Sequence, residues 1–518
     1  MAVGDGGEHG QVRLAELLAS VSLATDIGTG QPPGHALRTC VIATALAESL
    51  GCGADDIRTV HHATLLRFLG CTSDAAETAA MAGGDDVAFN AAMAPAINGH
   101  PWEIARRLVR AVGAGRPPVT RLRLIAGAFA DADGARRSLT THCEVGSMLA
   151  RRIGVTPPVV DALAHAYERW DGSGFPGGLA GDAIPLPVRI FVVARDADVA
   201  SRLGDEPLGW LRTRRGRAYD PAVVDAFERV GPRALADLDG ADEWEAGLAA
   251  EPEPVATIDP GDLDGVLLAF ADFVDLKSPW TRGHSRRVAE LAEAAGRHAG
   301  LDGADCDLLR RAALVHDLGR VGVENGVWDK PGALTTAERE RMRLHPYFTE
   351  RILDRCTPLA ALRQAAASHH ERSDGSGYHR SLPGESLSTA ARILAAADVL
   401  AALTADRPHR PAHSRDEAAR MLEGEAGAAL DAGAVACVLA AAGARPAPRQ
   451  SAWPAGLTDR EVEVLRLIAR GASNRAVAEQ LYISTKTVGR HIENLYRKIG
   501  VSSRAAAAVF AMDHRLLG

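Results

Sequence analysis

Seven side chains able to ligate a metal run in one order through the second half of the chain: His284, His316, Asp317, His345, His369, His370 and Asp398. Imidazole and carboxylate donors in such a set can hold two divalent metals, and paired metals hydrolyse phosphate esters. A lone histidine in a helix is more often a packed polar residue than a ligand. The neighbours extend the chemistry. The segment Asp374-Gly375-Ser376-Gly377-Tyr378 is a loop whose glycines allow backbone and phosphate to approach closely.

Such donors must converge from several helices. His284 leads into SRRVAELAEAAGRHAG, where Val288, Leu291 and Ala295 form a packing stripe at i, i+3 and i+7. LLRRAALVHDLG predicts a second amphipathic helix that stops near Gly319. Aromatic residues make up only 4% of the chain and alanine is abundant, a composition suited to close-packed helices rather than a β-sandwich. The expected fold class is all-α.

The text around the donors is specific. HxxR reads His284-Ser-Arg-Arg287, HDLGR runs from His316 to Arg320, HHERSDGSGY from His369 to Tyr378, and RILAAAD from Arg392 to Asp398. Over about residues 260–442 the chain resembles an HD-GYP domain, the branch of the HD phosphohydrolases similar to cyclic di-GMP phosphodiesterases. The resemblance implies a first metal held by His284, His316, Asp317 and Asp398. Asp317 would bridge to a second metal completed by His345, His369 and His370. The mixed donor shell suits Fe or Mn, and also Zn. Some relatives hold a third metal through a Glu one helical turn before the first His; here that position is Trp280, so two metals are expected. Catalytic roles fall to Asp317 and Arg320, and substrate contacts to Arg320, Gly375, Gly377, Tyr378 and Arg407. Two positions depart from the family: Arg320 replaces the usual Lys and cannot give up a proton, and His379 replaces the Pro of GYP.

The first half repeats the second. His35-Ala-Leu-Arg38 mirrors the HxxR at His284, and 32 residues separate His35 from Arg67 as they do His284 from His316. YERWDGSGFP from Tyr167 mirrors HERSDGSGYH from His370, and the 28 residues from Tyr167 to Arg195 match those from His370 to Asp398. Matching text at matching spacing indicates duplication. The first copy has lost its donors: Arg67 and Phe68 stand for His316 and Asp317, Ala166 and Tyr167 for His369 and His370, Cys143 for His345 and Arg195 for Asp398. His35, His142, His165 and Asp196 remain and are read as ordinary polar residues, because a metal site needs the whole set. The copy is read as sensory or dimerising, or as scaffold.

From Leu457 the sequence LTDREVEVLRLIARGASNRAVAEQLYISTKTVGRHIENLYRKIGVSSRAA resembles the LuxR-type helix-turn-helix. Thr458 and Glu461 form a capping box, Val462, Leu465 and Ala469 a buried stripe, and Ser484 or Thr485 caps the next helix. There Val488, Ile492, Leu495 and Ile499 face inward, leaving Lys486, Thr487, Arg490, His491, Asn494 and Arg497 to meet double-stranded DNA. Such modules usually act as dimers on two half-sites, so a homodimer is expected.

Charge supports this division. The chain carries a net −8, yet residues 457–518 contain ten Lys or Arg against six Asp or Glu, a basic end on an acidic body. The seven cysteines form no CxxC pair and fit a reducing cytoplasm. The N-terminal MAVGDGGEHG lacks the pattern of a signal peptide, and no membrane partner is expected. Two Pro/Ala-rich stretches read as linkers, giving a degenerate HD-GYP-like domain at 1–248, a linker at 249–262, an HD-GYP domain with intact ligands at 263–442, a linker at 443–456 and the helix-turn-helix at 457–518. The expected protein is a cytoplasmic transcriptional regulator that hydrolyses a cyclic dinucleotide such as cyclic di-GMP. The alternatives are a transcription factor that only senses a nucleotide and a di-metal site acting on another substrate.

Overall fold

The computed structural model describes residues 11–131, 133–443 and 453–517. The fold is all-α, as the composition implies, and no helix among the described residues is long and apolar enough to cross a membrane. The N-terminal decapeptide and most of the 443–456 linker lie outside the described residues.

The two copies pack reciprocally. In the first, α1 (Leu14–Gly28) precedes α2 (His35–Ser49) and α3 (Ala54–Leu66). A four-helix insertion follows, formed by α4 (Ala75–Ala82), α5 (Asp86–Met93), α6 (Pro101–Ala111) and α7 (Pro118–Ala130). Then come α8 (Gly134–Ile153) and α9 (Leu186–Arg202). The second copy is built on α10 (Leu263–Asp275), α11 (His284–His298), α12 (Gly303–Val315), α13 (His345–Leu353), α14 (Ala360–Ala367) and α15 (Thr389–Leu403). Helix α1 leans on α13 of the second copy, and α10 leans on its counterpart, α8, in the first. Ser20 donates to the carbonyl of Ile352, Thr72 to that of Phe273, and Lys277 is buried against Asp86 at 2.6 Å.

Each copy begins with a short strand, and these pair antiparallel: β1 (Val12–Arg13) with β2 (Thr257–Ile258). The 249–262 stretch is therefore no free tether. Glu251 within it is 5% exposed and accepts hydrogen bonds from Arg13 and the backbone N–H of Ala256, with His62 at 3.2 Å. Its prolines mark a bend between two packed copies, with the buried carboxylate of Glu251 satisfied internally.

Equivalent glycines fix the register of the repeat. A Cβ on Gly319 would collide with the carbonyl oxygen of His345, and a Cβ on Gly70 with that of His142. His142 therefore stands where His345 stands, one residue before the Cys143 expected from the sequence. The insertion separates the two halves of the first copy, so no counting across it could set the register.

The C-terminal bundle comprises α16 (Asp459–Ala469), α17 (Asn474–Leu481), α18 (Thr485–Ile499) and α19 (Arg504–Asp513). Its first helix opens with the expected Thr458–Glu461 capping box. Val462, Leu465, Ala469, Val488 and Leu495 are fully buried, whereas Ile492 and Ile499 are half-buried.

Candidate functional site

The positions of the histidines follow from backbone chemistry. Helix α11 starts at His284 because Gly283 takes a left-handed φ of 72°, turning the chain sharply into the helix. Trp280 sits in the turn before it, outside the helix. Helix α12 ends at Val315, earlier than the expected stop near Gly319, and the chain tightens into a 3-10 turn over Leu318–Gly322. This places His316 and Asp317 in the bend between the two. Thr349 of α13 locks the bend by donating to the carbonyl of His316 and accepting from the N–H of Gly319.

Three imidazoles are oriented the same way. The Nδ1–H groups of His316, His345 and His369 donate to the carbonyls three residues back, of Ala313, Met342 and Ala366, at 2.7, 2.6 and 2.6 Å. This fixes the tautomer and leaves each Nε2 with a lone pair facing the centre. The Nε2 atoms of His345 and His369 lie 3.2 Å apart, and Nε2 of His316 is buried without a hydrogen-bond partner. Lone pairs facing each other at this distance call for a cation between them.

Asp317 spans two groups of donors. Its Oδ2 lies 3.5 Å from His316 and 3.9 Å from His284, while its Oδ1 lies 3.5 Å from His345 and 3.6 Å from His369. Asp398 completes the first group, 3.0 Å from His284 and 3.8 Å from His316. His370 joins His345 and His369 in the second, with donor atoms within 4.8 Å of one another. The structure thus brings all seven residues to one buried point. Burial pushes the imidazoles down, His284 to about 4 and His345 to about 3, with His316 and His370 also lowered. Neutral rings are the form a metal requires. Burial works against ionisation of Asp317, but His316 and Arg320 hold its carboxyl well below the usual range. The donor set fits a pair of divalent metals.

Arg320 donates to Asp317 at 3.1 Å, and its guanidinium lies 3.8 Å from the centre of the Trp328 ring. Trp328, absent from the sequence reading, also packs its edge against His345. Tyr378 stacks on His370 with ring centres 4.8 Å apart and has Arg343 over its face. Arg407 is half-buried, and burial together with the charge of Arg320 pushes it down to about 10. The two glycines serve the loop itself. Gly375 has φ 76°, and a Cβ on Gly377 would collide with the backbone of Glu371 and Arg372. Buried Glu371 clasps that loop by accepting from the N–H groups of Arg380 and Leu382, and Glu168 does the same for Gly177 and Leu179 in the first copy. The Glu-Arg pair shared by the two repeats, Glu168-Arg169 and Glu371-Arg372, carried that signal. His379 lies 3.2 Å from Glu350.

In the first copy two cations, Arg67 and Arg195, stand in place of His316 and Asp398. Arg67 is pushed down to about 10 by burial and the neighbouring Arg195, which pairs with Asp196 at 2.5 Å. His35 lies 2.7 Å from Asp198, His142 lies 2.6 Å from Asp74, and His165 lies 3.7 Å from Asp161.

On α18 the side chains of Lys486, Arg490 and Arg497 are exposed, and those of Thr487, His491 and Asn494 half-buried. Thr487 is engaged with the Ser484 cap at 2.8 Å, and Asn494 accepts from Arg497. Tyr482, just before the helix, is 95% exposed.

A family model for the HD domain matches residues 123–223 and 269–433, and one for bacterial regulatory proteins of the luxR family matches residues 455–511. The 3'3'-cGAMP-specific phosphodiesterase 3 of Vibrio cholerae is 32% identical over 424 residues, spanning 81% of this chain and 92% of that protein. The cyclic di-GMP phosphodiesterase response regulator RpfG of Xanthomonas campestris is 33% identical over 169 residues, 32% of this chain and 44% of that one. A crystal structure of a cyclic GMP-AMP specific phosphodiesterase of V. cholerae, V-cGAP3, aligns with a TM-score of 0.59 at 30% identity, covering 84% of this chain and 99% of that one.

Proposed function

The chain belongs to the HD domain family and ends in a luxR-family regulatory module, and from that membership we propose that it is a cytoplasmic, DNA-reading phosphodiesterase that opens a cyclic dinucleotide at a two-metal centre. The observation that carries the reading is Asp317, with one oxygen turned to each of two donor groups. Two divalent metals bound there would supply Lewis acidity and an activated water. The residues do the rest. Asp317 and Asp398 would provide the negative charge to hold such metals, and the neutral imidazoles would supply the remaining donors. Arg320, kept flat by Trp328, orients a phosphate beside Asp317. Its proton stays in place, so it acts as an electrostatic clamp. Tyr378 on His370 offers an aromatic edge to a base.

Relatives act on 3'3'-cGAMP and on cyclic di-GMP, and both are candidate substrates here. Comparing kcat/KM for the two with Mn(II) present decides between them. Hydrolysis of either to a linear product supports the reading; binding without turnover of both replaces it with a nucleotide sensor.

The reader is joined to the centre by the segment that carries His284. Arg282 donates to the carbonyls of Ile468 and Ala469 at the end of α16, and Arg286 pairs with Asp272 and with Asp513 of α19 at 2.6 and 2.9 Å. Between them Ser285 donates to Asp275. Occupancy of the metal centre and the placement of the DNA-binding helices thus share one short stretch of backbone. As a homodimer, the protein would present two such readers whose spacing depends on nucleotide.

A further inference from the structure

The first copy holds a cavity of about 1510 Å³. Phe68, His142, Tyr167 and Arg195 line it, and these are the counterparts of Asp317, His345, His370 and Asp398. The cavity therefore occupies the place that metals would take in the second copy. Asp317, His370 and Asp398 have given way to a phenylalanine, a tyrosine and an arginine, while His142 keeps the imidazole of His345.

Its wall is cationic within an acidic chain: eight arginines line it against four carboxylates. Arg195 is 1% exposed, reaches Asp196 through one nitrogen, and keeps its Nε without a partner. Arg67, which is not among the lining residues, is 5% exposed and has no partner for any of its three nitrogens, with its guanidinium 5.1 Å from the ring of Phe68, which does line the cavity. A buried guanidinium left short of acceptors is costly, and an anion placed at Arg195 supplies what its Nε lacks.

The other wall is apolar. Phe89, Ile97, Ile104, Leu108 and Leu124 come from the insertion, whereas the corresponding stretch of the second copy holds two short helices, Asn325–Trp328 and Thr336–Met342. No residue of α6 or α7 is buried, although both helices contribute apolar side chains to this wall. Tyr496, Ser503 and Arg504 of the DNA reader close another side.

We propose that the first copy is a receptor for an organic anion with an apolar body, its carboxylate or phosphate head at Arg195 and its body among the insertion helices. The volume exceeds the roughly 300–1,000 Å³ common for small-molecule sites, which fits an elongated ligand. This reading stands apart from hydrolysis at the second copy, since none of the seven metal donors lines the cavity.

The test uses the full chain and calorimetric titration with laurate, dodecyl phosphate, dodecanol and inorganic phosphate, all below micelle-forming concentrations. The expected result is saturable binding of laurate or dodecyl phosphate, with dodecanol and inorganic phosphate at least about tenfold weaker. The tighter of the two anions identifies the head group. In Arg195→Met that preference over dodecanol should fall to under about threefold. Equal binding of laurate and dodecanol by the unmodified chain, or no saturable binding of either anion, overturns the proposal whether or not the variant folds.

Discussion

Asp317 concentrates the chemistry of this protein in one side chain, because each of its oxygens faces a different set of imidazoles. Asp317→Asn keeps the shape and removes the charge. We expect it to lower metal content below one ion per chain and to reduce product formation by about a thousandfold or more, with unchanged helicity by circular dichroism. Trp328 acts at one remove. Trp328→Ala should free the Arg320 guanidinium from its stack and raise KM about tenfold with a smaller change in kcat, measured by steady-state kinetics. The convergence of these seven residues was legible in the sequence because histidine and aspartate have few reasons to recur in family order. Trp328 was not, because an aromatic residue eight positions after Arg320 has many packing uses and only the tertiary fold lays one on the other. The glycines of the DGSGY segment were read as phosphate contacts, whereas the fold accounts for them through the loop's own backbone.

At the scale of elements, close approach of backbones shapes both copies. Gly319 lets the 3-10 turn meet the start of α13, and Gly319→Ala would force the turn off the His345 carbonyl. A loss of about 3 kcal/mol is expected from denaturant unfolding. The strand pairing before each copy depends on Glu251. Burial opposes its ionisation, yet the contact with His62 and hydrogen bonds from Ala256 and Arg13 hold its pKa down to about 2. A depressed carboxylate stabilises the fold above its unfolded pKa and loses that contribution as pH falls through the folded value. Thermal stability should therefore drop between about pH 4.5 and 2, and this part of the drop should disappear in Glu251→Gln, which begins about 2 kcal/mol less stable at pH 7. The duplication was legible because text and spacing agreed on either side of the insertion. The one-residue slip at Cys143 arose because helical packing, not counting, sets register across an insertion; that the 249–262 linker is packed was not legible because proline-rich composition does not distinguish a tether from a buried bend.

At the scale of the molecule, two HD copies and a DNA reader meet around the segment from Arg282 to Arg286. Asp513 of the reader pairs with both Arg286 and Arg152, so it ties α19 to both copies. Asp513→Ala should loosen that docking. In the unmodified chain, saturating cyclic dinucleotide should change affinity for a DNA fragment selected from a random library by about fivefold or more; in the variant the change should shrink to under about twofold. Equal responses would place the coupling elsewhere. The three-part organisation could be read from motif text, whereas the clasp between the parts depends on arginines that look like ordinary surface charge in the sequence. The central claim is that the second copy is a working two-metal phosphodiesterase. Its most direct test is to titrate metal-free protein with Mn(II) and follow conversion of 3'3'-cGAMP and cyclic di-GMP to linear products, beside Asp317→Asn. The account predicts product formation that saturates near two ions per chain and is absent in the variant. Both nucleotides remaining intact while the centre carries two ions per chain would contradict it.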